Sequence, residues 1–138
     1  MKPENIIGVP GVAKLMDFGV AHVVASESGD RRATIIGTPV YMSPEQIKGD
    51  PIGGFTDTYA LGVVLFECLA GVPPFEPKGA LYHHVHSAPP DPRQVRPGIP
   101  AALISIVMRC LAKEPADRFA SAKALSDALL ELAREGAA

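Results

Sequence analysis

The sequence is poor in three things that would point to common functions. Cysteine is scarce: Cys68 and Cys110 are the two in 138 residues. Neither belongs to a CxxC or Cys/His spacing, so a zinc module is not expected. Both lie in apolar runs that read as helix, and the simple expectation is two buried thiols in a reducing compartment. Excess charge is also missing. The formal net charge is −2, which leaves no broad basic field for nucleic acid. Long apolar runs are absent too. The longest, "YALGVVLF" (Tyr59–Phe66), is interrupted by Glu67 and falls short of the roughly 20 residues of a membrane span. The first residues show no charged n-region, apolar h-region or cleavage site. No secretory leader is therefore expected, and the chain reads as cytoplasmic. Internal repeats and low-complexity tracts are lacking as well.

What is present is a globular, loop-rich composition: 47% hydrophobic, 20% charged, 14 Pro and 13 Gly. The length suits one domain with its own core. "NIIGVPGVAKLM" holds two short apolar runs around a Gly/Pro turn and predicts a small hairpin. From Gly19 to Ile47 the pattern is irregular, with polar "ASESGDRR" at its centre. A loop of that length is usually functional or mobile. "TDTYALGVVLFECLAG" (Thr56–Gly71) reads as a central buried helix, apolar nearly all round, with Thr56 as N-cap and Gly71 as stop. A short helix is expected over Gly79–Ser87, and an extended proline-rich connection over Ala88–Pro100. Further helices are expected over Ala101–Ala112 and Ser121–Gly136, the last with Ser121 as N-cap and Gly136 as stop.

Chemistry concentrates at the front. Asn5 and Asp17 flank the hairpin with an amide oxygen and a carboxylate. Mg²⁺ takes hard oxygen ligands from few protein groups, with phosphate and water completing its shell. Lys2 adds a positive charge suited to a transferring phosphoryl group.

The ordered motifs resemble those of eukaryotic-type Ser/Thr protein kinases, in the style of bacterial members. "KPEN" (Lys2–Asn5) looks like the end of the catalytic loop, and "DFG" (Asp17–Gly19) like the start of the activation segment. "GTPVYMSPE" (Gly37–Glu45) looks like the substrate-docking loop and APE motif, with Ser43 in place of Ala. Thr56–Phe75 looks like the central helix of the large lobe and its exit. "KEPADRF" (Lys113–Phe119) carries the arginine expected to pair with the APE glutamate. One such motif is weak; five in order across the chain are strong.

The resemblance implies a truncated protein-kinase fold, mainly α with one N-terminal hairpin: a partial catalytic domain over residues 1–136. It implies ATP- and Mg²⁺-dependent phosphoryl transfer to Ser/Thr of protein substrates, or association with another kinase chain. Asn5 and Asp17 would hold Mg²⁺, and Lys2 would contact the transferred phosphate. Lys2 with Thr38 points to Ser/Thr rather than Tyr substrates. Ile7 would lie under the adenine and Met16 behind it; without nucleotide both are plain β-core. Phe18 would join a hydrophobic column. Asp57 would hydrogen-bond the catalytic-loop backbone; otherwise it is a helix N-terminal carboxylate worth about 0.3–1 kcal/mol. Glu45 and Arg118 would form a largely buried ion pair. Thr34, Ser26 and Ser28 are candidate phosphorylation sites, though an ordinary polar loop accounts for them equally well. "HHVH" (His83–His86) has no cysteine or carboxylate cluster beside it and reads as surface histidines.

In this family HRD and one further residue precede KPEN. Met1 stands at that residue, so the proton-accepting aspartate would fall immediately before it. The phosphate-binding arginine, the glycine-rich loop and the ATP-binding lysine are likewise not in this sequence. Loss of a general base costs about 10²–10⁴-fold, and lost positioning around 7–11 kcal/mol. The expectation is that this chain alone neither holds ATP tightly nor transfers phosphate. It also follows that Val64 and Cys68 should face an uncovered apolar surface. Two other readings stand beside this one. The chain is a non-catalytic interaction module, or it is half of a split kinase or of one with a misplaced start.

Overall fold

The computed structural model describes residues 3–15 and 39–136. It opens with a short 3-10 turn, Pro3–Asn5, followed by strands β1 (Ile6–Val9) and β2 (Val12–Leu15). The strands pair antiparallel, with Ile6 opposite Leu15 and Val9 opposite Val12. The two residues between them, Pro10 and Gly11, form the turn, and Gly11 takes φ 80°, a conformation open to glycine at little cost. The hairpin is the one the sequence predicts.

Five helices follow in the described residues: α1 (Pro44–Lys48), α2 (Gly54–Ala70), α3 (Ala80–His86), α4 (Ala101–Cys110) and α5 (Ala122–Gly136). Short 3-10 turns stand before α1 at Pro39–Tyr41, before α4 at Pro92–Gln94, and before α5 at Pro115–Asp117. The turn at Pro92–Gln94 is the one regular piece in the proline-rich connection. Proline at the first position of each turn supplies a pre-set φ where no backbone donor is needed.

Helix α2 is the axis of the fold. Tyr59, Val63, Phe66 and Ala70 fall on one stripe and form a core with Val107 and Leu111. Burial of each large side chain contributes roughly 1.5–3 kcal/mol. A second cluster joins Cys110, Phe119 and Leu125, with Leu61 and Ile106 packed against it. The α2–α4 crossing is tight at Gly62, where a Cβ would lie 2.5 Å from the Cβ of Cys110. Glycine there is a packing requirement.

Four expectations need correction. Helix α2 begins two residues before Thr56, with Gly53 as its N-cap. Thr56 is the third helical residue, and its hydroxyl accepts from the Gly53 N–H at 3.1 Å. The same hydroxyl that marks a helix start from sequence thus acts by reaching backwards. Cys68 is exposed, while Cys110 is buried as expected. Val64 is 4% exposed, so it does not contribute to an uncovered apolar surface. The Pro39–Tyr41 turn and most of α1 also fall within the Gly19–Ile47 stretch expected to be irregular, because Ser43 and Gln46 cap a short helix there. The later helix boundaries agree closely: Gly71 ends α2 at φ 82°, its N–H donating to Glu67 O. Ser121 Oγ accepts from Ala124 N–H at the start of α5. No helix among the described residues is long and apolar enough to cross a membrane.

Candidate functional site

The antiparallel register brings both ends of the hairpin together. The chain enters it at Asn5 and leaves it after Leu15, the partner of Ile6. Asn5 is partly exposed at the end of its 3-10 turn. Ile7, in β1, is 49% exposed, so it is not the plain β-core expected without nucleotide. Lys2, Met16, Asp17, Phe18, Ser26, Ser28, Thr34 and Thr38 lie outside the described residues. Asp57 is exposed in the first turn of α2.

The segment that follows Thr38 is anchored in detail. Ser43 is fully buried and N-caps α1. Its Oγ accepts from Gln46 N–H at 3.3 Å, and Gln46 Oε1 accepts from Ser43 N–H at 3.0 Å. Serine in the alanine position of the motif therefore completes a reciprocal cap. Pro44 at the first helical position and Gly49 in left-handed conformation (φ 76°) bound the helix.

Glu45, in the first turn of α1, meets Arg118 from the segment before α5. Nη1 donates to Glu45 Oε1 at 2.8 Å and Nη2 to Oε2 at 2.9 Å. The side chains are 0% and 4% exposed for Arg118 and Glu45. The remaining guanidinium donors go to main-chain carbonyls. These are Phe55 O at 2.9 Å, Lys113 O at 3.0 Å and Ala112 O at 2.7 Å, the last from Nε. All five N–H groups of the guanidinium are thus used. Its Cζ also lies 4.8 Å from the Tyr59 ring centroid. Burial opposes the Glu45 carboxylate, but the Arg118 hydrogen bonds and charge outweigh it and hold its pKa below the ordinary value.

Two further anchors escaped the sequence reading. Tyr41 Oη donates to Glu67 Oε2 on α2 at 2.7 Å; burial first, then Glu67, push its pKa up. His84, read from sequence as a surface histidine, is fully buried. Its Nε2 lies 2.7 Å from Val40 O, and its Nδ1 2.8 Å from Tyr59 Oη. Burial lowers its pKa to about 4, so the imidazole is neutral. The signal available in sequence was spacing: Ala80 and His84 sit four apart and are the two buried residues of α3. His83 stacks on Phe75, and Lys113 Nζ donates to His83 O at 3.2 Å. Burial, with Arg118 nearby, lowers the Lys113 pKa to about 8.

A helical lobe with a short front hairpin, and with an acidic motif locked to a downstream arginine, is the large-lobe arrangement of a protein kinase. The family model "Protein kinase domain" matches residues 1–130. The chain belongs to the protein kinase family. It is 42% identical over 127 residues to Serine/threonine-protein kinase PknB of Mycobacterium leprae, covering 88% of this chain and 20% of that protein. It is 41% identical over 138 residues to Serine/threonine-protein kinase Pkn1 of Myxococcus xanthus, covering 94% of this chain and 20% of that protein. The crystal structure of a point mutant of the Mycobacterium tuberculosis PknI kinase domain superposes with a TM-score of 0.68 at 30% identity. The match covers 96% of this chain and 44% of that one. The chain spans about a fifth of the length of these curated relatives.

Proposed function

We propose that this chain is the large-lobe part of a Ser/Thr protein kinase, and that the polypeptide uniting it with an ATP-holding small lobe phosphorylates protein Ser/Thr. The observation that carries the reading is the five-donor lock of Arg118 onto Glu45 and the surrounding main chain. It fixes the segment following Thr38 to the helical core, as a substrate platform requires. The hairpin's shared end supports the second half of the reading. Asn5 offers an amide oxygen at that end, and Asp17 follows two residues after Leu15 in sequence. That pair has the donor chemistry of a Mg²⁺ site.

In this reading the cation, when bound with ATP, neutralises charge on the transferring phosphoryl group. Asn5 and Asp17 would hold it, Lys2 would add charge at the phosphate, and Ile7 and Met16 would line the adenine. Thr38 belongs to the surface that receives the acceptor hydroxyl. Phosphoryl transfer depends on positioning and charge stabilisation. A chain without the small lobe's phosphate-binding groups therefore does not turn over by itself.

The first test is the nucleotide sequence upstream of the first codon, read in all frames. An in-frame HRD and small lobe identify the polypeptide to express. That protein should transfer γ-phosphate from Mg-ATP to a Ser/Thr protein substrate, and Asp17→Ala should abolish transfer. The 138-residue chain should give background incorporation only; robust, ATP-dependent phosphorylation by it would overturn this reading.

A further inference from the structure

His84 joins three elements at one buried point. It belongs to α3, its Nδ1 faces Tyr59 of α2, and its Nε2 faces the carbonyl of Val40 in the Pro39–Tyr41 turn. Phe75 and Tyr59 meet its ring edge-on, at 5.0 and 5.6 Å between centroids. The partners decide the tautomer. A carbonyl oxygen only accepts, so Nε2 carries the hydrogen. Nδ1 is then the acceptor, and Tyr59 Oη donates to it. The chain of bonds runs one way, from Tyr59 through His84 to Val40.

Val40 is two residues after Thr38, and its turn leads directly into the Ser43 cap of α1. Among the described residues, the backbone bond of this turn runs from Met42 N–H to Pro39 O at 3.3 Å. Tyr41 is tied to α2 through Glu67, and Glu45 through Arg118. Among the described residues, the imidazole of His84 is the side chain that holds the Val40 carbonyl.

We propose that His84, as its Nε2–H tautomer fixed by Tyr59, is a positioning residue that pins the Val40 carbonyl and thereby sets the loop on which the acceptor protein docks. The pinning is a property of the fold; its meaning for an acceptor rests on the kinase reading above. A fixed Val40 carbonyl fixes the plane of the Val40–Tyr41 peptide, in the turn that follows Thr38 in sequence. Apolar packing is non-directional and does not by itself orient a peptide plane.

The test uses the 138-residue chain labelled with ¹⁵N and needs no nucleotide. Long-range ¹H–¹⁵N spectra at pH 7 should show one histidine as a fixed Nε2–H tautomer. Its signals should disappear in His84→Gln. A His84 that is Nδ1–H, charged or averaging between tautomers overturns the proposal. Hydrogen exchange at the Met42 amide gives the mechanical readout. In His84→Asn the amide is too short to reach Val40, and Met42 should exchange about tenfold faster while amides of α4 keep their protection. His84→Gln carries an amide nitrogen near the Nε2 position and should restore Met42 towards the native rate. Unchanged Met42 exchange in His84→Asn refutes the pinning. If His84→Asn unfolds globally, His84→Gln decides: protected Met42 supports the proposal, and unprotected Met42 with intact α4 overturns it. Failure of the kinase reading would look different. It would be absent phosphoryl transfer by the joined polypeptide with Met42 fully protected.

Discussion

Replacing Arg118 by lysine keeps the charge and most of the length, so a simple ion-pair view predicts little change. The structure predicts a large one. Arg118 donates five hydrogen bonds, two to Glu45 and three to main-chain carbonyls of Phe55, Ala112 and Lys113. Lysine has three donors on one tetrahedral nitrogen and cannot reach partners spread around a planar fork. At least two of the five acceptors lose their donor in a site where the arginine is 0% exposed. A buried acceptor left unpaired costs about 1–3 kcal/mol, and more if charged. Arg118→Lys should therefore lose about 3–5 kcal/mol, the range found when one partner of a buried pair is removed. For a domain with about 5–15 kcal/mol of total stability this is a large fraction. In urea, with a slope of about 2 kcal/mol/M, the midpoint should fall by about 2 M. A companion cycle separates the ion pair from the main-chain bonds. Buried ion pairs can often be exchanged for apolar residues at little cost. Here Glu45→Leu with Arg118→Met should remain destabilised by about 3 kcal/mol, because three carbonyls still lose their donor. An Arg118→Lys chain within about 1 kcal/mol of wild type, or a double variant as stable as wild type, would refute the assignment of this site as a main-chain lock.

Acid should weaken the fold in two separable steps. The folded-state pKa of His84 falls from 6.5 to about 4, so the unfolded chain takes up the proton first. Stability is full above about pH 6.5 and declines as pH drops towards 4. The total loss is about 3 kcal/mol at roughly 1.4 kcal/mol per pH unit. Glu45 is also depressed, but its contribution is lost only below its ordinary carboxylate range. Urea midpoints between pH 7 and 4.5 should thus fall in wild type and stay nearly flat in His84→Gln; equal slopes would refute the assignment. The groups around His84 that bear on this are Tyr59 on α2, and His83 and Lys113, whose charges lower its pKa further. Gly62→Ala places a Cβ 2.5 Å from that of Cys110. It should cost about 1–3 kcal/mol and lower Tm by roughly 3–9 °C in calorimetry; an unchanged Tm would show that α2 and α4 part easily. Of the two thiols, exposed Cys68 should react with a disulfide reagent in the native chain. Cys110, buried and pushed up to about 12, should react only on unfolding. Two thiols reacting natively would contradict the packing at Gly62.

Much of the helical scaffold is legible because its signals are local. Gly71 and Ser121 mark helix ends through conformations and hydroxyl bonds confined to a few neighbouring residues. The hairpin is legible for the same reason, as Pro10-Gly11 separates two apolar runs of equal length. The misread positions are those whose environment is made by distant chain. Cys68 lies in an apolar run of α2 and still faces outwards, because a helix inside a run of hydrophobic letters keeps one side away from its neighbours. His84 looks polar by residue type. Its two acceptable partners lie 25 and 44 residues away, beyond any periodicity argument.

Glu45 and Arg118 show a third case. They are 73 residues apart, and neither burial nor pairing follows from composition or period; the expectation came from the resemblance of two flanking motifs. What the resemblance did not carry is the distribution of the guanidinium's bonds. Three of five go to main-chain carbonyls of two separate elements, Phe55 in α2 and Ala112 and Lys113 after α4. An arginine used in this way is a joint between elements as much as a counter-ion. The same logic applies at His84, where a side chain on α3 is bonded to the main chain of one element and a phenol of another. In both places the short Pro39–Lys48 region, whose Val40 and Met42 are buried, is also tied by polar side chains reaching in from the helical core. Polar contacts are directional and apolar ones are not. A segment that must present a fixed peptide surface to another protein is better set by the first kind than by the second.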